Sequence, residues 1–148
     1  MAYLAQHCLF EQFAALRAAV DVPPLLGELG MPVQEQNVWW GSAGTVTPLH
    51  YDGYDNFLCQ IAGYKYVRLY APSESPRLYP SATARFKRQN VSDIDHLEAA
   101  DVHEQFPLLR EAVFTDHLLG PGDQLFMPRH TWHYVHSLTP SISVNFWF

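Results

Sequence analysis

The sequence predicts one domain with an all-β core, built as an antiparallel barrel or a double-sheet jelly roll. From residue 33 onward, short segments rich in Val, Tyr, Phe and Trp alternate with turns that contain Gly and Pro, which is typical of such folds. A chain of 148 residues can bury one hydrophobic core, and its aromatic content of 14% favours strands. The predicted strands are Asn37–Trp40, Val46–Asp52, Asn56–Ala62, Lys65–Tyr70, Phe114–Leu119, Gln124–Met127, Trp132–Ser137 and Ser141–Phe148.

The connections between these strands are marked by turns and by one long interruption. Ala62-Gly63-Tyr64 is short enough for a hairpin, and Gly120-Pro121-Gly122-Asp123 is a second strong turn. Residues 71–112 break the pattern with prolines at 72, 76 and 80, followed by an acidic, polar stretch over 92–105 with room for a helical turn. About forty residues is long for a connector. We therefore expect a loop/helix insert between the fourth and fifth predicted strands, on the outside or rim of the barrel.

The first 32 residues form a separate lead-in to the β-rich part. Tyr3–Ala5 is a candidate short strand, and Phe10–Val20 is rich in alanine with apolar residues at helical spacing, which predicts a short helix. Asp21-Val22-Pro23-Pro24 should end this helix, and residues 27–32 are expected to form a loop. The predicted organisation is one domain over 1–148, with a lead-in over 1–32 and the jelly roll over 33–148.

Composition and charge argue against several classes of function. Nine Lys and Arg against 15 Asp and Glu give a net charge of −6, which disfavours a nucleic-acid-binding module with a basic surface. No apolar run reaches the ~18 residues that span a bilayer, and no secretory leader is evident. Cys8 and Cys59 do not make a disulfide framework. We expect an intracellular protein, nuclear or cytoplasmic, with free thiols.

The first candidate for chemistry is His50-Tyr51-Asp52. Side chains two residues apart on a strand point to the same face, so this imidazole and carboxylate would form half of a metal site. His133, in a later predicted strand, is the leading third ligand. Two histidines and one carboxylate form the facial triad of non-haem Fe(II) oxygenases, which leaves coordination positions open. The alternative is that His50 and Asp52 form a hydrogen-bonded surface pair and that His133 is a core histidine.

Lys65 is the second candidate. The chain has only two lysines, Lys65 and Lys87, and strand alternation would place Val67 and Leu69 on the same face as Lys65. A lysine on the apolar face of a barrel needs an anion as its partner, and the distal carboxylate of 2-oxoglutarate would supply one. The alternative is that Lys65 only begins the strand after Gly63 and stays in water.

These candidates belong to a set of motifs that extends over nearly the whole chain. The motifs are Tyr3-Leu4-Ala5-Gln6-His7, Trp39-Trp40-Gly41, Thr47-Pro48-Leu49-His50-Tyr51-Asp52, Asn56-Phe57-Leu58, Gly63-Tyr64-Lys65-Tyr66, Gly120-Pro121-Gly122-Asp123, Pro128, Trp132-His133 and Val144-Asn145-Phe146-Trp147. With this set, the chain resembles the JmjC family of Fe(II)- and 2-oxoglutarate-dependent oxygenases, and the resemblance implies a double-stranded β-helix, a cupin-like jelly roll.

The resemblance implies a role for each matching residue. His50, Asp52 and His133 would bind Fe(II) and form the catalytic centre. Lys65 would pair with the far carboxylate of 2-oxoglutarate, assisted by nearby hydroxyl groups, while asparagine side chains would bind the cosubstrate closer to the metal. The implied 2-oxoglutarate-binding residues are Tyr3, Thr47, Asn56, Lys65 and Asn145, and the implied substrate-pocket residues are Gln6 and Trp39.

One of these roles requires an irregular strand. Simple alternation places Thr47 on the face opposite His50, so its implied role needs a local break, for which Pro48 is the natural place. Other residues are expected to be structural or solvent-facing. These residues are His7, Cys59, His96, His103, His117, His130, His136, Trp147 and Phe148.

The resemblance implies an enzyme that hydroxylates a protein side chain, with succinate and CO₂ as coproducts. Fe(II) would be the cofactor, and 2-oxoglutarate and O₂ the cosubstrates. Arginine is the first candidate for the modified residue, followed by asparagine and histidine, and removal of methyl groups from histone lysines by the same chemistry remains open. Two other classes are open: a JmjC binding module without turnover, and a hydrolytic or isomerising enzyme with Zn²⁺ or Mn²⁺ in the triad.

The expected partner is a protein or peptide, with no direct binding to nucleic acid or membrane. A monomer is expected. Relatives of this type carry further strands and helices upstream, so the chain is expected to be shorter than its family, either as a natural minimal form or as a fragment.

Overall fold

A computed structural model of the chain describes residues 2–82 and 90–148. Lys87 lies outside the described residues. Within the described part, no helix is long and apolar enough to cross a membrane. The strands are β1 (Tyr3–His7), β2 (Glu35–Gly41), β3 (Val46–His50), β4 (Asn56–Ala62), β5 (Lys65–Tyr70), β6 (Phe114–Leu119), β7 (Gln124–Met127), β8 (Trp132–Ser137) and β9 (Ser141–Trp147). The α-helices are α1 (Leu9–Gln12), α2 (Ala14–Arg17), α3 (Pro24–Glu28) and α4 (Val102–Gln105), and 3-10 helices span Pro72–Arg77 and Pro107–Glu111.

The strands form two antiparallel sheets, as expected for a jelly roll. One sheet has the order β1-β2-β9-β4-β7, and the other has the order β3-β8-β5-β6. Between them, Leu58 and Met127 of the first sheet pack with Val67, Leu119 and Val135 of the second. The predicted fold class, a cupin-like double-stranded β-helix, is confirmed.

The strand predictions agree with the structure in place and order. The eight predicted strands are all present, with bounds that differ by at most two residues. The candidate strand at Tyr3–Ala5 extends to His7. The strand predicted to reach Asp52 ends at His50, so Asp52 lies in the turn after β3. The backbone of this turn is held by the His130 N–H, which donates to the Asp52 carbonyl at 2.8 Å.

The single helix expected over Phe10–Val20 is wrong. The chain forms α1 and α2 instead, separated at Phe13, whose φ is −130°. The loop expected over residues 27–32 is wrong at its first two residues, because α3 extends to Glu28. Packing overrides the local helical spacing here, because Phe10 and Leu26 both turn onto the outer face of the first sheet.

The described parts of the insert, residues 71–82 and 90–112, lie on the outer face of the second sheet, in agreement with the predicted exterior position. Leu78, Ile94 and Leu109 of the insert are at most 5% exposed. They belong to the same core cluster as Leu49 of β3 and Trp132 of β8. The insert is therefore more than a surface loop, because it covers the sheet that carries the candidate metal ligands.

The insert also extends the second sheet at its β3 edge. The Ser92 N–H donates to the Leu49 carbonyl at 2.9 Å, and Val91 forms a bridge with His50. Residues 90–92 thus run beside the end of β3. This contact brings the insert next to the predicted metal site, which the sequence analysis did not anticipate.

Both cysteines are free thiols, as predicted. Cys59 is buried in a cluster with Phe10 and Phe146, and burial raises the pKa of its thiol to about 11. A thiol with so high a pKa is a poor nucleophile. Cys59 is therefore a small core residue rather than a reactive one.

Candidate metal and cosubstrate site

The two histidines and the aspartate of the predicted triad converge where β3 ends and β8 begins. His50 is the last residue of β3 and lies directly opposite His133 of β8. In the following turn, Asp52 places Oδ1 3.7 Å from His50 Nε2 and Oδ2 3.7 Å from His133 Nε2. One ligand atom from each residue lies within 4.8 Å of the others. The three side chains therefore form one group that can hold a metal ion, rather than a surface pair and a separate core histidine.

Backbone carbonyl groups orient both imidazoles. His50 Nδ1 lies 2.8 Å from the Pro48 carbonyl, and His133 Nδ1 lies 3.0 Å from the Thr131 carbonyl. Because a carbonyl oxygen only accepts, each Nδ1 carries a proton, and in the neutral imidazole Nε2 then presents a lone pair. Metal-ligating histidines are commonly oriented in this way. Both free Nε2 atoms face the carboxylate of Asp52.

Burial shifts the pKa values of His133 and Asp52 in the triad. Desolvation, with a contribution from nearby His50, lowers the pKa of His133 to about 3, against a smaller opposing effect of the Thr131 carbonyl. His133 is therefore neutral and able to bind metal. Burial raises the pKa of Asp52, while the neighbouring His50 and the Trp147 indole N–H lower it. A cation held by the triad would favour the ionised form of Asp52.

A change of register brings Thr47 to the same side as His50. The pairing of β3 with β8 shifts by one residue between Thr47 and His50, which is the local break that the sequence predicts near Pro48. The Thr47 hydroxyl lies 2.9 Å from the hydroxyl of Tyr3 on β1. The two hydroxyl groups thus come from different sheets and form one polar pair.

Lys65 is buried without a partner. The residue is only 2% exposed, so the alternative in which it stays in water is wrong. Within the described residues, its ammonium group makes no ion pair or side-chain hydrogen bond, and burial lowers its pKa to about 8. A buried cation of this kind calls for an anionic partner. The residues present therefore fit a bound carboxylate.

Two buried asparagines also have unused hydrogen-bonding groups. Asn145 accepts a hydrogen bond from Trp39 Nε1 at 2.8 Å, but its Nδ2 has no partner among the described residues. The Oδ1 atom of Asn56 is likewise without one in that part of the chain. Unsatisfied buried amide groups are costly in an empty protein and become useful when a polar ligand binds.

All of the residues that the sequence analysis places at the site line one cavity of about 350 Å³. This volume suits a small ligand, at the low end of the ~300–1,000 Å³ common for such sites. Gln6 reaches the cavity from an irregular part of β1, where its φ is +47° and the register with β2 shifts. The predicted residues on its wall are Tyr3, Gln6, Trp39, Thr47, His50, Asp52, Asn56, Lys65, His133 and Asn145.

Eight residues of this wall were not predicted from the sequence, and the polar or aromatic ones among them are Tyr54, Asn90 and Trp147. Trp147 was expected to pack in the core; it is buried, but it also faces the cavity and stacks on Tyr54, with centroids 5.4 Å apart. Its position two residues after Asn145 on β9 was the available signal. The sequence held no comparable signal for Asn90, because this residue comes from the insert and not from a strand.

The remaining histidines lie outside the cavity, as expected. His136 Nδ1 lies 2.8 Å from Glu98 Oε2 of the insert, and the His117 ring hydrogen-bonds with Thr115 at 3.1 Å. Within the described residues, the triad is the only group of three or more His, Cys, Asp or Glu side chains with metal-binding proximity. The choice of His133 over its neighbours thus agrees with the geometry.

Comparison with known proteins decides the family. A family model described as a cupin-like domain matches residues 1–148. Lysine-specific demethylase JMJ30 of Arabidopsis thaliana is 41% identical over 146 residues, which is 99% of this chain and 33% of that protein. The chain belongs to the cupin-like JmjC domains. Its resemblance to the JmjC family, inferred from the motifs, is confirmed.

Further relatives place this JmjC domain near one branch of the family. Lysine-specific demethylase 8 of Xenopus tropicalis is 42% identical over 148 residues, covering 99% of this chain and 32% of that protein. Jumonji C domain-containing protein 5 of Drosophila melanogaster is 39% identical over 150 residues, covering 99% of this chain and 36% of that protein. The sequence also predicts that the stretches 3–13 and 65–80 resemble this branch most, and that the region around His50 and the ending 144–147 resemble the factor-inhibiting asparaginyl hydroxylase; these finer likenesses stay predictions.

A solved structure supports the fold of the JmjC domain. The X-ray structure of E. coli ycfD matches with a TM-score of 0.53 and 19% sequence identity, over 84% of this chain and 29% of that chain. At this identity, the likeness supports the fold alone. The chain spans about a third of the length of the curated relatives it matches.

Proposed function

We propose that this JmjC domain holds the active centre of an Fe(II)- and 2-oxoglutarate-dependent oxygenase that acts on a protein side chain. The observation that carries the proposal is a buried lysine, with no ion-pair partner in the described part of the chain, in the same cavity as a His-Asp-His triad. The triad alone suits several metals and several reactions. The triad together with an anion-binding lysine suits a metal that is chelated by a dicarboxylate.

His50, Asp52 and His133 would hold the Fe(II) ion. Two neutral imidazoles and one carboxylate leave such an ion with a net positive charge and with open coordination positions. Bound Fe(II) would supply the activation of O₂, coupled to decarboxylation of 2-oxoglutarate to succinate and CO₂, and the transfer of one oxygen atom into a substrate C–H bond. The chain's part is to keep His133 neutral through burial and to turn both imidazoles inward through the backbone carbonyls that accept from each Nδ1.

The cosubstrate would lie between the triad and Lys65. The ammonium group of Lys65 would bind the far carboxylate of 2-oxoglutarate, and the hydroxyls of Tyr3 and Thr47 would donate to it. Asn145 would donate from its free Nδ2, and a half-turn of the Asn56 amide presents either its donor or its acceptor. Each of these groups is buried or half-buried on the cavity wall, so its hydrogen bond would form away from bulk water.

Removal of methyl groups from lysine is the substrate reaction that the relatives support, since several are named lysine-specific demethylases. Hydroxylation of an N-methyl carbon gives a hemiaminal, which breaks into formaldehyde and the demethylated amine. Arginyl hydroxylation, the first expectation from the sequence, has no support in these names. It is the second candidate, because it needs the same metal and cosubstrate. Gln6 and Trp39 would line the approach of either side chain.

The partner would be a protein or peptide, and the net charge of −6 suits a basic one such as a histone tail. Monomeric state, lack of nucleic-acid binding and an intracellular, nuclear or cytoplasmic location stay predictions. An inactive binding module is disfavoured because the whole ligand set and Lys65 are present. A hydrolase is disfavoured because it has no use for a buried cation that anchors a dicarboxylate.

The test is succinate formation from 2-oxoglutarate by the purified chain, with Fe(II) and ascorbate, with and without methyl-lysine peptides and the same peptides unmethylated. We expect succinate only when Fe(II) is present and more of it with a suitable peptide. Mass spectrometry then separates loss of a methyl group, with formaldehyde, from gain of one oxygen atom. Absence of Fe(II)-dependent succinate with every peptide would contradict the proposal.

A variant pair sharpens this test. Lys65→Ala should raise the 2-oxoglutarate concentration needed for half-maximal succinate formation by roughly 10–100-fold, because a charge-assisted hydrogen bond is worth about 1.5–3 kcal/mol. Arg110→Ala, which removes an exposed cation from the insert, is the control and should leave that concentration unchanged. Equal cosubstrate dependence in both variants would show that 2-oxoglutarate does not use Lys65.

A further inference from the structure

Asn90 holds both backbone polar groups of Tyr51, the residue between His50 and Asp52. The Tyr51 N–H donates to the Asn90 carbonyl at 3.0 Å, and Asn90 Nδ2 donates to the Tyr51 carbonyl at 2.9 Å. The first bond fixes the peptide plane that joins His50 to Tyr51, and the second fixes the plane that joins Tyr51 to Asp52. Rotation of either plane would move one ligand relative to the other.

The rest of this short motif is held by packing. The Tyr51 ring lies edge-on to Trp132, with centroids 4.8 Å apart, and to His130 at 5.5 Å. The His130 N–H donates to the Asp52 carbonyl. These contacts anchor the ring of Tyr51 and the exit from the turn, and the pairing of His50 with His133 anchors the end of β3. Asn90 adds direct hydrogen bonds to both peptide groups of Tyr51.

We infer that Asn90 is a positioning residue of the metal centre, which sets the angle between His50 and Asp52 before an ion binds. The inference rests on the proposed function, because it assumes that these residues bind metal. Asn90 acts through the backbone of Tyr51 rather than as a ligand. Since Asn90 belongs to the insert, a displacement of the insert would reach both ligands through two hydrogen bonds.

A merely structural role makes a different prediction. If Asn90 only anchors the insert, its loss should lower the melting temperature and leave metal affinity unchanged in the folded protein. If Asn90 positions the ligands, its loss should weaken metal binding even where the protein remains folded. Outer partners of metal ligands typically contribute 10–100-fold to metal affinity.

The experiment measures Co(II) binding to the full chain by calorimetry, without 2-oxoglutarate or turnover. Asn90→Ala removes the Nδ2 donor, and Asn90→Asp places an acceptor against the Tyr51 carbonyl. Gln105→Ala is the matched control, because it removes another hydrogen-bonded side-chain amide of the insert, bonded to Asp101 far along the chain from the triad. We expect both Asn90 variants to bind Co(II) about tenfold or more weakly, with an altered visible spectrum, while Gln105→Ala binds as the wild type does.

Hydrogen exchange of the wild type supplies a measurement that needs no variant. The Tyr51 amide should be protected in the metal-free protein, because Asn90 already holds it. Free exchange of this amide until Co(II) is added would overturn the inference, as would wild-type Co(II) affinity in a folded Asn90→Ala. Failure of the wild type itself to bind Co(II) would overturn the proposed function as well, so the two failures are distinguishable.

Discussion

His50 and His133 face each other across the β3–β8 pair, with ring centroids 4.1 Å apart. Two imidazoles this close repel each other when both are protonated, and the buried His133 stays neutral. Their backbone carbonyl partners direct both Nε2 atoms to Asp52. Strand register and hydrogen bonding therefore set the spacing of the ligand atoms through protein contacts alone.

Asp52→Ala should remove tight metal binding without destabilising the metal-free protein. Burial raises the pKa of Asp52, so its charge is unfavourable when no cation is bound, and removal of the carboxylate costs little. We expect at least roughly 100-fold weaker Co(II) binding by calorimetry. Even groups that only hydrogen-bond to a metal ligand typically contribute 10–100-fold to metal affinity, and Asp52 would be a ligand itself. Asp95→Ala, at an exposed aspartate of the insert, is the control. Unchanged affinity in Asp52→Ala would remove this residue from the metal site.

Lys65→Met should stabilise the ligand-free protein and abolish its response to 2-oxoglutarate. Burial lowers the pKa of Lys65 from 10.5 to about 8, so at neutral pH the folded state carries an unfavourable charge worth about 3 kcal/mol. A methionine of similar shape removes that cost. Thermal melts should therefore show a higher midpoint for the variant alone, and 2-oxoglutarate added to the Co(II)-loaded protein should raise the midpoint only for the wild type.

The same lysine predicts a pH dependence of stability. A lowered pKa means that the unfolded chain binds the proton more tightly, so the contribution of Lys65 to stability rises with pH between about 8 and 10.5. The difference in unfolding free energy between Lys65→Met and the wild type should accordingly shrink across this range. A difference that is constant with pH in denaturant titrations would mean that Lys65 is not a buried cation.

Tyr3→Phe should weaken 2-oxoglutarate binding without affecting the metal. The Tyr3 and Thr47 hydroxyls form one pair at 2.9 Å, and loss of one hydroxyl should cost about 1 kcal/mol, or roughly fivefold in cosubstrate affinity. Thr47→Val removes the partner hydroxyl at similar volume. Because the two groups touch, the double variant should lose less than the sum of the single losses. Strict additivity in a titration of the Co(II)-loaded protein would show that they act separately.

Ile94→Ala should destabilise the whole domain rather than only the insert. Ile94 is fully buried in the cluster that joins the insert to β3 and β8, and truncation of such a residue costs about 2–5 kcal/mol. Leu108→Ala, at a residue that is 45% exposed in the same insert, should cost far less. Denaturant unfolding measures both. A small loss for Ile94→Ala would mean that the insert folds independently of the sheet.

Some features of this protein could be predicted because they are local. Short segments rich in Val, Tyr, Phe and Trp between Gly and Pro turns predict strands directly. Side chains of a strand alternate between its two faces, so the pattern is visible in a few consecutive residues. The spacing of His50 and Asp52 predicted two members of the triad, and the strand position of His133, together with the likeness to a family, predicted the third. Trp147 was misjudged because a buried tryptophan fits the core and the cavity wall equally well in a one-dimensional pattern.

The amino-acid order by itself determined the kinds of donor available, the strand order along the chain and the family to which the chain belongs. Only the tertiary structure decided that Lys65 has no described partner, that the register shift turns Thr47 toward His50, and that Asn90 holds Tyr51. The physical reason is the distance along the sequence over which each effect acts. Periodicity and turn chemistry act between neighbours in sequence, whereas burial, register and the docking of the insert depend on residues brought together from distant parts of the chain.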